Sequence, residues 1–222
     1  MKNWLLPTLI GLMAILYIFV IPPEPLTLKI VFKLIPMALI ILYAFLQLPA
    51  KPAPAMRFII IGLFFCMLGD GFIALSFIAG LGAFLVGHVF YLMGFIKMSR
   101  INKTRLAALL PIGLYSFIIG RHLIIALQTE GNDGLVIPVV AYMLVISLMA
   151  FTAILTDNLW ATAGSLLFVI SDSILSWNMF VATIPYSDVL IMTTYYSAQF
   201  LIAKSLSFFR KTHIQERKER IV

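Results

Sequence analysis

The chain has 222 residues, of which 62% are hydrophobic and only 11% charged. A water-soluble domain carries about 25% charged residues, and one of this size exposes too much surface to hide such an apolar excess. Those proportions exclude a soluble fold. The net charge of +7 has no polar folded surface to occupy. Nucleic-acid binding is therefore excluded, and the charge reads as a signal of membrane topology and of attraction to anionic headgroups.

Clusters of Pro, Gly and charge divide the apolar sequence into eight predicted spans, at 4–21, 26–46, 57–76, 79–97, 104–124, 135–155, 159–178 and 186–209. A bilayer crossing needs about 20 mostly apolar residues. The predicted fold class is all-α: a polytopic integral membrane protein, a bundle of about eight transmembrane helices. The first span follows Lys2 and resembles a signal peptide, but it lacks a small-x-small cleavage site and runs into Pro22-Pro23-Glu24-Pro25. It reads as a retained helix. A tight turn is expected at Ala79-Gly80. Residues 1–209 form a single transmembrane domain, and 210–222 a charged, solvated cytoplasmic tail. Cys66, the only cysteine, reads as a small core hydrophobe.

An even number of spans puts both termini on one side. Of the 16 Lys and Arg residues, all but Lys29, Lys33 and Arg121 fall on that side. The positive-inside rule then makes both termini cytoplasmic. Gly62 and Asp70 in the third span match Gly164 and Asp172 in the seventh, each pair separated by seven residues. The match suggests two four-span halves related as a 4+4 parallel repeat.

The ionisable residues inside the spans carry the functional signal. Counted from the predicted helix starts, Asp70 and Asp172 each lie about fourteen residues in, which puts both carboxylates at one depth, beyond the midplane toward the outer leaflet. A carboxylate there costs roughly 2.5–3.5 kcal/mol, so each should face the bundle interior and find a partner. Two such acids held in opposite protonation states make a general acid and a general base. The bland alternative is that each Asp only cross-links helices. His88 and Tyr91 lie three apart on one face of the fourth span. His88 is a catalytic candidate, or else a core histidine bonded to a backbone carbonyl. Lys33 lies deeper than Lys29 and is expected to pair with a carboxylate or a phosphate. Tyr195 and Tyr196 flank a face of the eighth span with Gln199, and Ser165, Asp172 and Ser176 share a face of the seventh. Tyr142 and Asn178 complete the candidate substrate-binding set. Arg121 and His122 read as interfacial. No H-x-x-x-H, H-E-x-x-H or G-x-S-x-G spacing occurs, so neither a metal site nor a serine triad is expected. On these residues alone, an acid/base enzyme and a proton-coupled transporter are equal readings, and a non-catalytic lipid-binding protein is the third.

The segments GLFFCMLGDG (62–71), GAFLVGHVFYLMGF (82–95), GSLLFVISDSIL (164–175) and TTYYSAQFLIA (193–203), with KLIPM (33–37) and PVVAYMLVISLMA (138–150), resemble the YhhN family of membrane proteins. The resemblance runs through nearly all spans. It implies an eight-helix hydrolase that cleaves the vinyl ether bond of lysoplasmalogens, releasing a fatty aldehyde and a glycerophospho-base; no cofactor is expected from the residues. Its substrate would be a lysophospholipid, its surroundings membrane lipids, and its short loops suggest a bacterial inner membrane. The chemistry suits two acids: one protonates the vinyl ether β-carbon, and the other stabilises the resulting oxocarbenium ion and activates water.

Overall fold

A computed structural model describes residues 4–219, with side chains described as far as Arg210. Among the described residues, eight long α-helices and one short one follow in order: α1 (Leu5–Phe19), α2 (Leu26–Gln47), α3 (Pro54–Phe72), α4 (Phe77–Met98), the four-residue α5 (Lys103–Leu106), α6 (Leu109–Thr129), α7 (Val136–Leu155), α8 (Leu159–Phe180) and α9 (Ser187–Glu219), with a 3-10 turn at Asp133–Leu135 leading into α7. No strand occurs among the described residues. Six segments are long and apolar enough to cross a membrane: α2, α3, α4, Lys103–Thr129, Asp133–Leu155 and α8. α1 is apolar but shorter, at 15 residues. The molecule is a polytopic membrane bundle. Helices are what lipid demands of such a sequence, because every backbone N–H and C=O must be bonded within its own segment.

Several boundaries differ from those predicted, each for a local reason. α3 begins at Pro54 rather than residue 57, since a proline fits the first helical turn, where its missing N–H goes unused. The third break falls at 73–76 and not at Gly80. Ser76 caps α4 by accepting from the Ala79 N–H at 3.4 Å. Gly80 instead lies inside α4, where a Cβ would stand 2.6 Å from the Ile73 backbone. Its role is room for the returning chain, not the turn. Asn102 opens α5 by accepting from Thr104 N–H at 3.0 Å, so the next long helix starts late, at Leu109, and runs on to Thr129. α9 continues through the basic residues to Glu219. Lys2, Arg220 and the last two residues of the predicted tail lie outside the described residues.

Two antiparallel pairs, α3–α4 and α8–α9, pack most closely. The matched glycines make this possible. A Cβ on Gly62 would stand 2.5 Å from the Tyr91 ring and 2.9 Å from the Gly87 carbonyl. One on Gly164 would stand 2.9 Å from the Ala198 carbonyl. Lipid offers no hydrophobic drive for helix association, so such close backbone approach supplies much of the packing energy. α2 leans on α3 and α9, α7 leans on α4 and α8, and α1 and α6 pack outside them. Buried Met37, Ile40 and Ala44 of α2 and Ile146, Met149 and Ala153 of α7 fill the core. Asn158 ties the start of α8 to α9: its Oδ1 accepts from Trp160 and Ala161 N–H at 3.0 and 3.3 Å, and its Nδ2 donates to the Ser205 carbonyl at 3.0 Å. The site below is framed by α1, α2, α3, α4, α8 and α9, with α7 reaching Asp172 through Tyr142.

Candidate functional site

Asp70 stands at the close of α3, next to the final residues Gly71 and Phe72, and is 1% exposed. A bare carboxylate there would be unsustainable, and the fold supplies two partners. The Lys33 ammonium of α2 lies 3.3 Å from Oδ1, and the Tyr195 hydroxyl of α9 donates to Oδ2 at 2.6 Å. A second tyrosine fixes the lysine's helix: Tyr196 donates to the Lys33 carbonyl at 2.8 Å. Adjacent tyrosines on α9 thus hold the acid and the backbone of its counter-ion. The pairing is consistent with an ionised Asp70.

Asp172, about two turns before α8 ends at Phe180, has a different environment. Its Oδ2 accepts a hydrogen bond from the Tyr142 hydroxyl of α7. No Lys or Arg pairs with it among the described residues. Within their own helices the two acids are placed differently: Asp70 is at its helix end, and Asp172 is well inside. α8 is nevertheless anchored beside the same stretch of α9, since Ser171 donates to the Ile191 carbonyl at 2.9 Å.

Both acids line one cavity of about 470 Å³, together with Lys33, Tyr195, Lys29 and Asp188. Phe84 also lines it, and its ring packs edge-on against Tyr195 with centroids 6.0 Å apart. The cavity therefore offers an ion-paired carboxylate, a carboxyl held only by a phenol, a third carboxylate from Asp188 at the start of α9, and two lysines, among apolar side chains. Such a set can move a proton and bind an anion.

The other predicted site residues are distributed differently. His88 is fully buried and does not line the cavity. Its Nδ1 bonds to the Phe84 carbonyl at 2.6 Å, and its ring packs edge-on against Phe168 and Tyr142, with centroids 4.4 and 5.3 Å away. It braces Tyr142 from behind. Tyr91 donates to Gln199 Oε1 at 2.6 Å, in a buried layer beneath the acids. His88 Nε2, Gln199 Nε2 and Ser165 Oγ have no protein partner there. Asn178 accepts from the Ile184 N–H at 2.8 Å and shapes the α8–α9 loop. Arg121 and His122 are exposed. Sequence reasoning missed Tyr17, Ser171 and Asp188, which also line the cavity. Asp188 sits in the first turn of α9, where an acidic residue is ordinary helix-start chemistry and gives no separate signal. Among the described residues, no three His, Cys, Asp or Glu side chains gather as a metal-ligand set.

Comparison with known proteins places the chain. Lysoplasmalogenase TMEM86B of mouse is 34% identical over 134 residues, covering 59% of this chain and 54% of that protein. The rat protein of the same name is 27% identical over 211 residues, covering 92% of this chain and 84% of its own length. Lysoplasmalogenase of Mycobacterium tuberculosis is 28% identical over 165 residues, covering 70% of this chain and 62% of that protein. The matches to the mouse and human TMEM86B proteins span about half the length of those relatives. No solved structure matches the chain. The YhhN family model matches residues 28–206, a range that holds Lys33, Asp70, Tyr142, Asp172 and Tyr195. The chain belongs to the YhhN family.

Proposed function

We propose that this protein is a membrane-embedded ether hydrolase that cleaves the vinyl ether bond of lysoplasmalogen-type lysophospholipids, releasing a fatty aldehyde and a glycerophospho-base. The observation that carries the reading is the shared cavity in which, apart from exposed Asp188, two unlike acids stand: Asp70 paired to Lys33, and Asp172 bonded only to Tyr142. The printed names of the relatives agree with it. A proton-coupled transporter has no observation in its favour beyond the buried charges themselves.

The unlike environments suggest roles. Asp172, with no cation beside it, is the general acid, and Asp70, held ionised by Lys33, is the base. Asp172 gives its proton to the vinyl β-carbon, and the ether oxygen donates electron density to form an oxocarbenium ion. The Asp70 carboxylate stabilises that cation and accepts a proton from the attacking water, whose oxygen bonds to the cationic carbon. The hemiacetal then collapses. Its hydroxyl proton returns to Asp172, the carbon–oxygen bond to glycerol breaks, and Asp70 protonates the departing oxygen. Both acids end as they began. Lys33 and Lys29 face the lipid phosphate, Tyr195 orients Asp70, and Tyr142 orients Asp172. His88 supports Tyr142 by packing, and Tyr91, Tyr196 and Gln199 hold the floor and α2 in place. The distribution of Lys and Arg supports cytoplasmic termini and a cavity near the outer leaflet of a bacterial inner membrane. The matched helix pairs α3–α4 and α8–α9 support the 4+4 repeat.

The test is aldehyde release by the purified, reconstituted protein from an alkenyl lysolipid, with the alkyl ether analogue as control. Turnover of the alkenyl lipid alone is expected. Proton flux across proteoliposomes with no aldehyde formed would replace this reading with the transporter.

A further inference from the structure

The acid-lined cavity is one end of a longer path. It shares Phe84 and Asp172 with a crevice of about 70 Å³ between α4, α6, α7 and α8. That crevice shares Ser116, Met143 and Ser147 with a groove of about 570 Å³ along the α6–α7 face. Polarity falls along the way. The cavity holds Lys and Asp side chains, whereas Asp172 is the crevice's one charged lining residue and Arg121 the groove's, among the described residues. The groove is flanked by exposed Phe117 and Leu144, so in a bilayer it opens to lipid.

We infer that this path holds the hydrocarbon chain of the substrate, and that Met143 with the Ser116–Ser147 pair forms the neck it threads. The inference rests on the hydrolase reading of the cavity. The neck is defined by contacts. The Ser116 and Ser147 hydroxyls are 2.7 Å apart, and Ser147 also donates to the Met143 carbonyl at 2.6 Å. The Met143 methyl stands 3.0 Å from where a Cβ of Gly120 would lie, so α6 and α7 come together there over a flexible side chain. A thioether arm of this kind can swing aside for an alkyl chain.

The length also fits. Tyr142, bonded to Asp172, and Ser147 at the neck are separated by about 8 Å of α7 axis, and Ser116 and Leu109 at the inner end of the groove by about 10 Å of α6. An extended hexadecenyl chain advances about 1.25 Å per carbon and reaches roughly 19 Å. A lipid with its vinyl ether at Asp172 and its phosphate toward Lys33 and Lys29 would thus lay its chain through the crevice into the groove. The aldehyde would leave sideways into the membrane, not back past the headgroup. A butenyl chain ends before the neck, so only a long chain has to pass between Met143 and the serine pair.

The test compares hexadecenyl and butenyl lysolipids of one headgroup in full-length protein in nanodiscs. Met143→Trp, which fills the neck, should lower the hexadecenyl-to-butenyl ratio of kcat/KM about tenfold, the scale on which small size changes in apolar pockets discriminate. An unchanged ratio overturns the inference. A second measurement does not depend on turnover or on a folded tryptophan variant. A non-hydrolysable alkyl lysolipid with a diazirine at its chain end should label 109–116 and 144–148, and unlabelled hexadecyl lysolipid should compete it away. Labelling spread over all lipid-facing helices marks bulk lipid in the groove and overturns the inference. If the wild type releases no aldehyde from either substrate, the hydrolase reading fails separately, and the label still decides where the chain lies.

Discussion

Replacing Lys33 by Met tests how the cavity keeps an acid buried. The ammonium lies 3.3 Å from Asp70, and the two side chains are 15% and 2% exposed. At that distance the attraction is about 5 kcal/mol for an effective dielectric near 20. Removing one partner of a buried pair costs about 3–5 kcal/mol, because the other is left uncompensated. Lys33→Met should therefore destabilise by that amount, less whatever the Tyr195 hydrogen bond recovers. Asp70→Asn in the same chain removes the orphaned charge. The double variant should regain most of the loss, giving a coupling energy of about 2–3 kcal/mol in a double-mutant cycle. Denaturant unfolding in micelles, followed by circular dichroism, reads all four corners of the cycle. Losses that simply add would refute the ion pair as the device that stabilises Asp70. The rescued double variant should still release no aldehyde, because its carboxylate is gone. Stability and chemistry then separate in one set of proteins.

Other expectations follow from single contacts. Tyr142→Phe removes the one side-chain hydrogen bond to Asp172 and should lower kcat by about 10²-fold, the lower end for positioned acid–base catalysis, with unfolding little changed. Gly62→Ala and Gly164→Ala push a methyl into Tyr91 and the Ala198 carbonyl and should each cost about 1–3 kcal/mol in thermal unfolding; Gly71→Ala, which meets nothing within 4 Å, should be close to neutral. Asn158→Ala loses the α8 cap and the bond to Ser205, and should destabilise by about 1–3 kcal/mol without altering the substrate KM.

Composition and periodicity made the membrane bundle legible, because an apolar chain with few charges has only helices to offer lipid. The breaks at Pro22–Pro25, Pro49–Pro54 and Thr156–Asn158 were readable for the same reason: proline and short polar side chains compete with helix locally. Gly80 misled because a glycine that permits close packing and one that permits a turn look alike in sequence. The acids at 70 and 172 stood out because a carboxylate in an apolar helix is costly wherever it points. Their partners were less visible. Lys33 was readable as a cation seeking a carboxylate or a phosphate, but which Asp it meets depends on how α2 crosses α3. Likewise, nothing in the spacing distinguishes Tyr195, which bonds an acid, from Tyr196, which bonds a backbone carbonyl. His88 and Asn178 attracted notice as polar residues in apolar helices, yet their bonds are to local backbone. Tyr17 and Asp188 line the cavity from helices whose sequence gave no reason to single them out.

The most direct test of the central claim is aldehyde formation in D2O by wild type, Asp70→Asn and Asp172→Asn, with products trapped as they form and weighed by mass spectrometry. If a paired acid and base act at one cavity, wild-type aldehyde carries one deuterium on the carbon next to the carbonyl, and each Asn variant is slower by about 10²-fold or more. Aldehyde without that deuterium, or a wild-type rate in either variant, would contradict the account.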